Sequence, residues 1–160
     1  MRKRVLDGDL KAIKAAEVLK KYLDKKMEDD PVFRQSMEDT KERRLNQLRD
    51  AVIALKSGDS KTAFKIWLPF AERGSSTIQW NIGSLYQLGE GVDKNIDKAF
   101  YWYEKSAEKG YHAGQHSLGK MYQKGTGVTQ DIDKAVYWYK KAAKQGNKQA
   151  LEVLDEYNLN

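Results

Sequence analysis

The sequence predicts an all-α solenoid of stacked antiparallel helix pairs, and three observations lead to this prediction. Residues 75–110 and 111–146 align at a shift of 36 with 17 identical positions, against roughly two expected by chance at ordinary composition. Apolar residues recur at helical spacing and no segment keeps a period-two alternation, so we expect no sheet. Glycines and Asn/Asp residues fall at the same points of each copy. A repeated helix pair that cannot bury its apolar face alone must stack on its neighbours.

Residues 1–44 are interpreted as an N-terminal charged helical cap or extension. An amphipathic helix is predicted by apolar residues that step by three or four, namely Leu6, Leu10, Ile13, Ala16, Leu19, Leu23 and Met27. A break at Asp29-Asp30-Pro31 should begin a second helix that runs toward Lys56, because proline is favoured at the first helical position. The run Glu38 to Arg44 has no apolar member and is a further candidate joint. A partner-binding or dimerising helix is the alternative to a cap.

Residues 45–160 are predicted to form the solenoid. Its parts are a degenerate first unit (45–74), two repeats (75–110 and 111–146) and a C-terminal capping helix (147–160). In each full repeat a first helix, roughly 77–88 or 113–124, ends at a Gly-x-Gly-Val loop, since glycine takes the left-handed conformation without steric cost. Asn95 and Asp131 are the expected N-caps of the second helices.

Small residues inside the predicted helices indicate close helix packing. Gly83 and Gly119 lie mid-helix, where glycine costs about 1 kcal/mol relative to alanine, so we expect a neighbouring helix to pass too close for a side chain. Alanines eight apart on one face (Ala99 with Ala107, Ala135 with Ala143) fit the same packing, and the pairs Trp102-Tyr103 and Trp138-Tyr139 add bulk between units. Leu151, Leu154 and Tyr157 should form the apolar stripe of the capping helix.

The second repeat contains an extended motif. It reads Leu118-Gly119-x-x-Tyr122-x-x-Gly125-x-Gly127-Val128, then Asp131-x-x-Lys134-Ala135-x-x-Trp138-Tyr139, then Ala143-x-x-Gly146. This motif resembles the Sel-one-like repeat (SLR) family, a relative of the tetratricopeptide repeats, and the resemblance covers residues 75–146. The stretch from Gly58 to Gly74 resembles the family's first unit with a shorter loop. The resemblance implies a right-handed superhelix whose concave face holds other proteins.

The residue inventory offers little for catalysis. The chain has no cysteine and two histidines, His112 and His116, so a disulfide, a thiolate metal site and a cysteine nucleophile are excluded. The histidines are four apart, but a metalloprotease pair requires glutamate where this chain has Ala113. Both Gly-x-Gly loops follow helices rather than strands, which does not fit a nucleotide site. We therefore predict that the protein is not an enzyme and has no catalytic residue, metal, cofactor or small-molecule substrate.

Two alternatives to a protein-binding role remain, one from the net charge and one from the family resemblance, and neither is favoured. Residues 1–44 carry 13 Lys/Arg against 10 Asp/Glu, and residues 45–160 carry 16 against 13. A nucleic-acid binder usually concentrates its basic residues, so that alternative depends on the pI near 9.3 alone. β-Lactam binding or hydrolysis, which the resemblance associates with cysteine-rich members, is the second alternative.

The sequence does not assign a location: the chain as given fits the cytoplasm, and a removed leader would make the protein periplasmic or secreted. No stretch approaches the roughly 20 apolar residues of a membrane span.

The candidate binding residues lie on the first helix of each repeat. In this class of repeat that helix lines the concave surface, and positions not used for packing should vary between copies. The predicted partner-binding residues are Trp80, Asn81, Ser84, Gln87, His116, Lys120 and Gln123. Tryptophan is a typical hot-spot residue, although an indole that packs between units is the alternative for Trp80. We predict an interaction module for a protein or peptide, acting as an adaptor, a regulator or an inhibitor of its partner.

Overall fold

The computed structural model describes the backbone of residues 2–157 and the side chains of Lys14 and of residues 16–157. Over this range the chain forms eight α-helices and no strand. They are α1 (Arg2–Asp29), α2 (Pro31–Lys56), α3 (Ser60–Glu72), α4 (Ser76–Leu88), α5 (Ile96–Glu108), α6 (His112–Lys124), α7 (Ile132–Ala143) and α8 (Lys148–Glu156). The all-α prediction is confirmed. The chain divides into two compact units, Met1–Asn46 and Gln47–Asn160.

The break between α1 and α2 falls at Asp30, as predicted. The Asp30 carboxylate accepts a hydrogen bond from the Phe33 N–H at 2.9 Å, which caps the new helix. The Arg34 guanidinium donates to the carbonyl oxygens of Met27 and Glu28 at 2.6 and 2.7 Å. These bonds satisfy carbonyls that the end of α1 leaves free.

The second joint suggested within α2 is wrong. The helix continues through residues 38–44 without interruption. That segment lacks apolar residues, but its Glu, Lys and Arg side chains have high intrinsic helix propensity, so the helix needs no apolar contact there to persist.

The apolar stripe predicted for α1 falls partly on side chains outside the described residues, namely those of Leu6, Leu10 and Ile13. Of the others, Leu19 is 57% exposed, and Leu23 and Met27 are partly buried. No described side chain between residues 16 and 46 is fully buried. The role of residues 1–44 as a cap or as a partner helix stays a prediction.

The core of the second unit is a succession of contacts between neighbouring helices. One buried cluster includes Ala51 on α2, Trp67 on α3, Ile82 on α4 and Trp102 on α5. The next cluster joins α6, α7 and α8 through residues such as Leu118, Tyr139 and Leu154. Each helix is therefore buried by its neighbours along the chain, which is the packing expected of repeats.

The predicted helix ends are confirmed. Gly89 and Gly125 adopt the left-handed conformation, with φ of 76° and 64°, and close α4 and α6. Asn95 accepts a hydrogen bond from the Lys98 N–H at 2.8 Å, and Asp131 accepts one from the Lys134 N–H at 2.9 Å. The bond from Lys134 lowers the pKa of the Asp131 carboxyl, because it favours the charged form.

The predicted close approach at the mid-helix glycines is also confirmed. A Cβ added to Gly83 would lie 2.7 Å from the Tyr103 ring on α5, and one added to Gly119 would lie 3.0 Å from the Tyr139 ring on α7. The second glycine of each Gly-x-Gly-Val loop also lies in a close contact, which the sequence did not predict. Gly127 lies against the first residue of α5, where a Cβ would be 3.1 Å from the Ile96 carbonyl oxygen.

The apolar stripe predicted for α8 is confirmed at Leu154 and wrong at Leu151 and Tyr157. Ala150 and Leu154 are buried, whereas Leu151 is 39% exposed and Tyr157 is 55% exposed. Ala150 and Leu154 are four residues apart and lie one above the other on the helix surface, so the small alanine allows the close approach and the leucine fills the core. Residues 158–160 of the predicted cap lie outside the described residues.

Candidate interaction groove

A groove of about 1100 Å³, partly open to solvent, lies along α4 and α6 within the second unit. Its walls are Trp80, Ser84, Gln87, Tyr103, Ala113, His116, Ser117, Lys120, Met121, Lys124, Thr126 and Gln149. Five of the seven predicted binding residues are in this set. Asn81 and Gln123 are not.

Helical spacing explains why these side chains share one side of the helices. On α4, Trp80, Ser84 and Gln87 step by four and three residues, which places them on one face. Ile82 on α4 and its counterpart Leu118 on α6 are completely buried on the packing side. Buried framework residues therefore fix the helices. Four residues that differ between the copies face the groove, namely Trp80, Ser84, His116 and Lys120.

Trp80 is partly buried and has two partners in the next repeat. Its indole N–H donates to the Ser117 hydroxyl oxygen at 3.0 Å. Its ring meets Tyr111 edge to face, with centroids 6.2 Å apart, a favourable aromatic geometry. The indole therefore both packs between units and lines the groove, so the two alternatives drawn from the sequence are compatible.

His116 is held beside Tyr139, with ring centroids 5.7 Å apart. Burial lowers the pKa of His116, and the positive charge of Lys120 one turn later lowers that pKa further. The imidazole is therefore neutral at pH 7. No carboxylate is among the groove residues to orient it as a general base.

Gln87 and Gln123 agree between the repeats because each has a structural partner. The Tyr103 hydroxyl donates to the Gln87 side-chain oxygen, and the Tyr139 hydroxyl donates to that of Gln123, both at 2.8 Å. Burial raises the pKa of both tyrosines to about 12. Each bond ties the two helices of one repeat together, which is a framework role.

Gln123 lines a separate apolar pocket of about 320 Å³ rather than the groove. The other walls of this pocket are Ile132, Ala135, Val136, Tyr139, Val153, Leu154 and Tyr157. The Gln123 side-chain N–H also donates to the Tyr157 hydroxyl oxygen at 3.2 Å.

Sequence reasoning did not select Tyr103, Ser117, Lys124 or Gln149 for the groove. A signal existed for Lys124, since it follows Lys120 by four residues on the same helix face. Gln149 lies 36 positions after Ala113, so the repeat register relates them. The contact between Trp80 and Ser117 spans 37 residues and has no local signal.

The described residues contain no group of three or more His, Asp and Glu side chains placed to hold a metal ion. None of their helices has both the length and the apolar character needed to cross a membrane.

The Sel1 repeat family matches the chain twice, at residues 79–111 and 112–147. Among solved structures, a Sel1 repeat protein from Oxalobacter formigenes is 32% identical, with 76% of this chain and 98% of that one covered and a TM-score of 0.66. A protective antigen of uropathogenic Escherichia coli strains with an SLR fold is 29% identical, with a TM-score of 0.64. That match covers 69% of this chain but only 25% of the E. coli chain.

Helicobacter pylori cysteine rich protein B has the same fold. It is 24% identical over 69% of this chain and 85% of its own, with a TM-score of 0.61. No curated protein matches the chain.

The fold and groove define an α-solenoid repeat protein of the SLR class. The motif matches and the O. formigenes relative identify the family: the chain belongs to the Sel1 repeat family. Proteins of this family are generally non-enzymatic scaffolds that act as protein-interaction modules.

Proposed function

We propose that this protein is a non-enzymatic interaction module that binds an extended segment of a partner protein in the groove along α4 and α6. It would act as an adaptor, a regulator or an inhibitor of that partner. One observation carries the proposal: residues that differ between two otherwise similar repeats line one common groove. The pairs are Trp80 with His116 and Ser84 with Lys120.

The groove is suited to recognition because its central side chains are already held in place. Trp80 is fixed by the Ser117 hydroxyl and the Tyr111 ring, and Gln87 is fixed by the Tyr103 hydroxyl. Side chains ordered before binding lose less conformational entropy when a partner arrives. A pre-oriented tryptophan is the residue type that most often contributes strongly at interfaces.

The test is a selection of displayed random dodecapeptides on the wild-type protein, followed by affinity measurement on a double variant, Trp80→Ala with Lys120→Glu. We expect the selected peptides to lose roughly tenfold or more in affinity, since truncating a hot-spot side chain typically costs about 2 kcal/mol. A matched control, Tyr137→Ala with Lys140→Glu, removes an exposed aromatic ring and reverses an exposed charge on α7, outside the groove. It should retain wild-type affinity.

Circular dichroism and a thermal melt establish that both variants remain folded. Unchanged affinity in a folded groove variant would show that partners bind elsewhere on the protein and would refute the proposal.

A further inference from the structure

The charge inside the groove has one sign. Lys120 and Lys124 lie one turn apart on α6, and both are exposed. Twelve residues line the groove, and none of them is Asp or Glu. With His116 neutral at pH 7, the walls carry two positive charges and no negative charge.

Neither lysine is neutralised from within the described part of the chain. The ion pair between Lys134 and Asp131 lies outside the groove and includes neither lysine. Glu152 and Glu156 on α8 occupy the positions 36 residues after His116 and Lys120, but they do not line the groove. The acidic residues at the equivalent positions of α8 therefore do not pair with Lys120 or Lys124.

Two lysines four residues apart on a helix are neighbours on its surface, so both ammonium groups reach a single carboxylate that enters the groove. Serine hydroxyls and carboxamides lie on the surrounding walls, at Ser84, Ser117 and Gln149. They supply hydrogen-bonding groups for a peptide backbone. Trp80 adds an apolar surface beside them.

We infer that the groove selects a partner segment bearing an acidic side chain, whose carboxylate binds between Lys120 and Lys124 while a neighbouring apolar side chain contacts Trp80. This inference rests on the proposed function and names the chemistry of its partner. Because both lysines are exposed, the attraction is partly screened and falls with added salt.

The experiment repeats the peptide selection on three proteins: the wild type, Lys120→Glu with Lys124→Glu, and a control, Lys61→Glu with Lys65→Glu. The control makes the same change of net charge, on two exposed lysines four residues apart on α3. We expect Asp and Glu to be enriched on the wild type and on the control. The groove variant should instead enrich Lys and Arg.

A second measurement uses one selected peptide and its analogue with the acidic residue replaced by its amide. The acidic form should bind the wild type about tenfold more tightly at low salt. The ratio should narrow as sodium chloride is added and should approach one on Lys120→Gln with Lys124→Gln.

The outcomes separate this inference from the proposed function. Selected peptides that require Trp80 but show no acidic preference would overturn the inference and leave the proposed function standing. Peptides indifferent to Trp80 and to both lysines would overturn both, as would a selection that yields no binding peptide.

Discussion

The two complete repeats share a framework, but they differ in the hydrogen bonds at the junction where each repeat packs on the helix before it. At the first junction, between α3 and α4, the Gln79 side-chain N–H donates to the Ala71 carbonyl oxygen at 2.9 Å. Gln115 makes the equivalent bond to the Ala107 carbonyl oxygen at 3.3 Å. The Gln115 side-chain oxygen also accepts a hydrogen bond from Gln145 at 2.8 Å. The same oxygen of Gln79 is buried without a hydrogen-bond partner.

The source of this difference is a surface position. The residue 36 positions before Gln145 is Lys109, whose ammonium group lies beside Gly74 instead of bonding to Gln79. A buried polar group of the framework is thus satisfied in one repeat by a residue that looks variable and dispensable. Positions outside the motif therefore decide whether the buried polar groups of each junction find hydrogen-bond partners.

A second difference is the size of the residue at one position of the junction. The first repeat has Ile78 where the second has Gly114. Ser106 on α5 occupies the space opposite Gly114, and its hydroxyl donates to the Ser76 carbonyl oxygen at 2.7 Å. Ser106 is completely buried. Gly114 on α6 therefore lies where the second repeat packs closely against α5 of the first.

The largest expected effect is that of Gly114→Ala. The added Cβ would lie 2.8 Å from the Ser106 Cβ and 3.0 Å from the Ala107 backbone nitrogen, and backbone atoms cannot move aside as a flexible side chain can. Overpacking of this kind costs about 1–3 kcal/mol, and we expect it to exceed the roughly 1 kcal/mol that alanine gains in helix propensity, so the variant should be less stable than the wild type. Urea unfolding followed by circular dichroism measures it. An unfolding free energy equal to that of the wild type would show that the junction yields easily.

A smaller effect is expected when the equivalent glycines Gly83 and Gly119 are each replaced by alanine. Alanine gains about 1 kcal/mol in helix propensity over glycine, and the contact with the facing tyrosine opposes this gain. The contact is 2.7 Å at Gly83 and 3.0 Å at Gly119. We expect Gly119→Ala to be nearly neutral and Gly83→Ala to be destabilising, with the two separated by about 1 kcal/mol. The same unfolding assay compares them, and the reverse order would contradict the difference in contact distance.

The sequence predicted the features that depend on neighbouring residues. Helix ends at Gly89 and Asn95 and the close approach at Gly83 follow from backbone conformation and side-chain size, which a repeat displays in each copy. Contacts between repeats were not predictable in the same way. The Trp80–Ser117 bond and the burial of Ala150 in place of Leu151 depend on how far one helix is rotated against the next, and no local pattern encodes that rotation.

The candidate site was predictable only in part for the same reason. Comparison of the repeats located the groove through Trp80, Ser84, His116 and Lys120. It could not tell that Gln123 is held by a buried tyrosine, because a residue that agrees between copies has either a structural or a functional reason to agree.

The two junctions can be made alike by exchanging Lys109 and Gln145, the residues that distinguish them. Lys109→Gln should supply the donor that the Gln79 oxygen lacks and stabilise the protein by about 1 kcal/mol, the usual net value of a hydrogen bond. Gln145→Lys should destabilise it by a similar amount, since it removes the partner of Gln115. Thermal melts of the two variants and of their combination check this. If Lys109→Gln leaves the melting temperature unchanged while Gln145→Lys lowers it, the Gln79 oxygen is not a source of instability.

The smallest effect concerns pH and the pair Trp80 and His116, which hold equivalent positions. Burial keeps the folded-state pKa of His116 below its ordinary value of 6.5, with Lys120 adding to the shift and Tyr139 neutral because its pKa is about 12. As the pH falls through 6.5, the unfolded chain takes up a proton that the folded protein still excludes, so stability decreases until the lower folded-state pKa is reached. His116→Gln should remove this part of the pH dependence, whereas Trp80→Phe, at the equivalent position of the first repeat, should retain it. Urea unfolding at a series of pH values on either side of 6.5 compares the slopes. A steeper loss of stability in His116→Gln than in the wild type would reverse the sign argued here and would mean that the folded groove stabilises the charged imidazole.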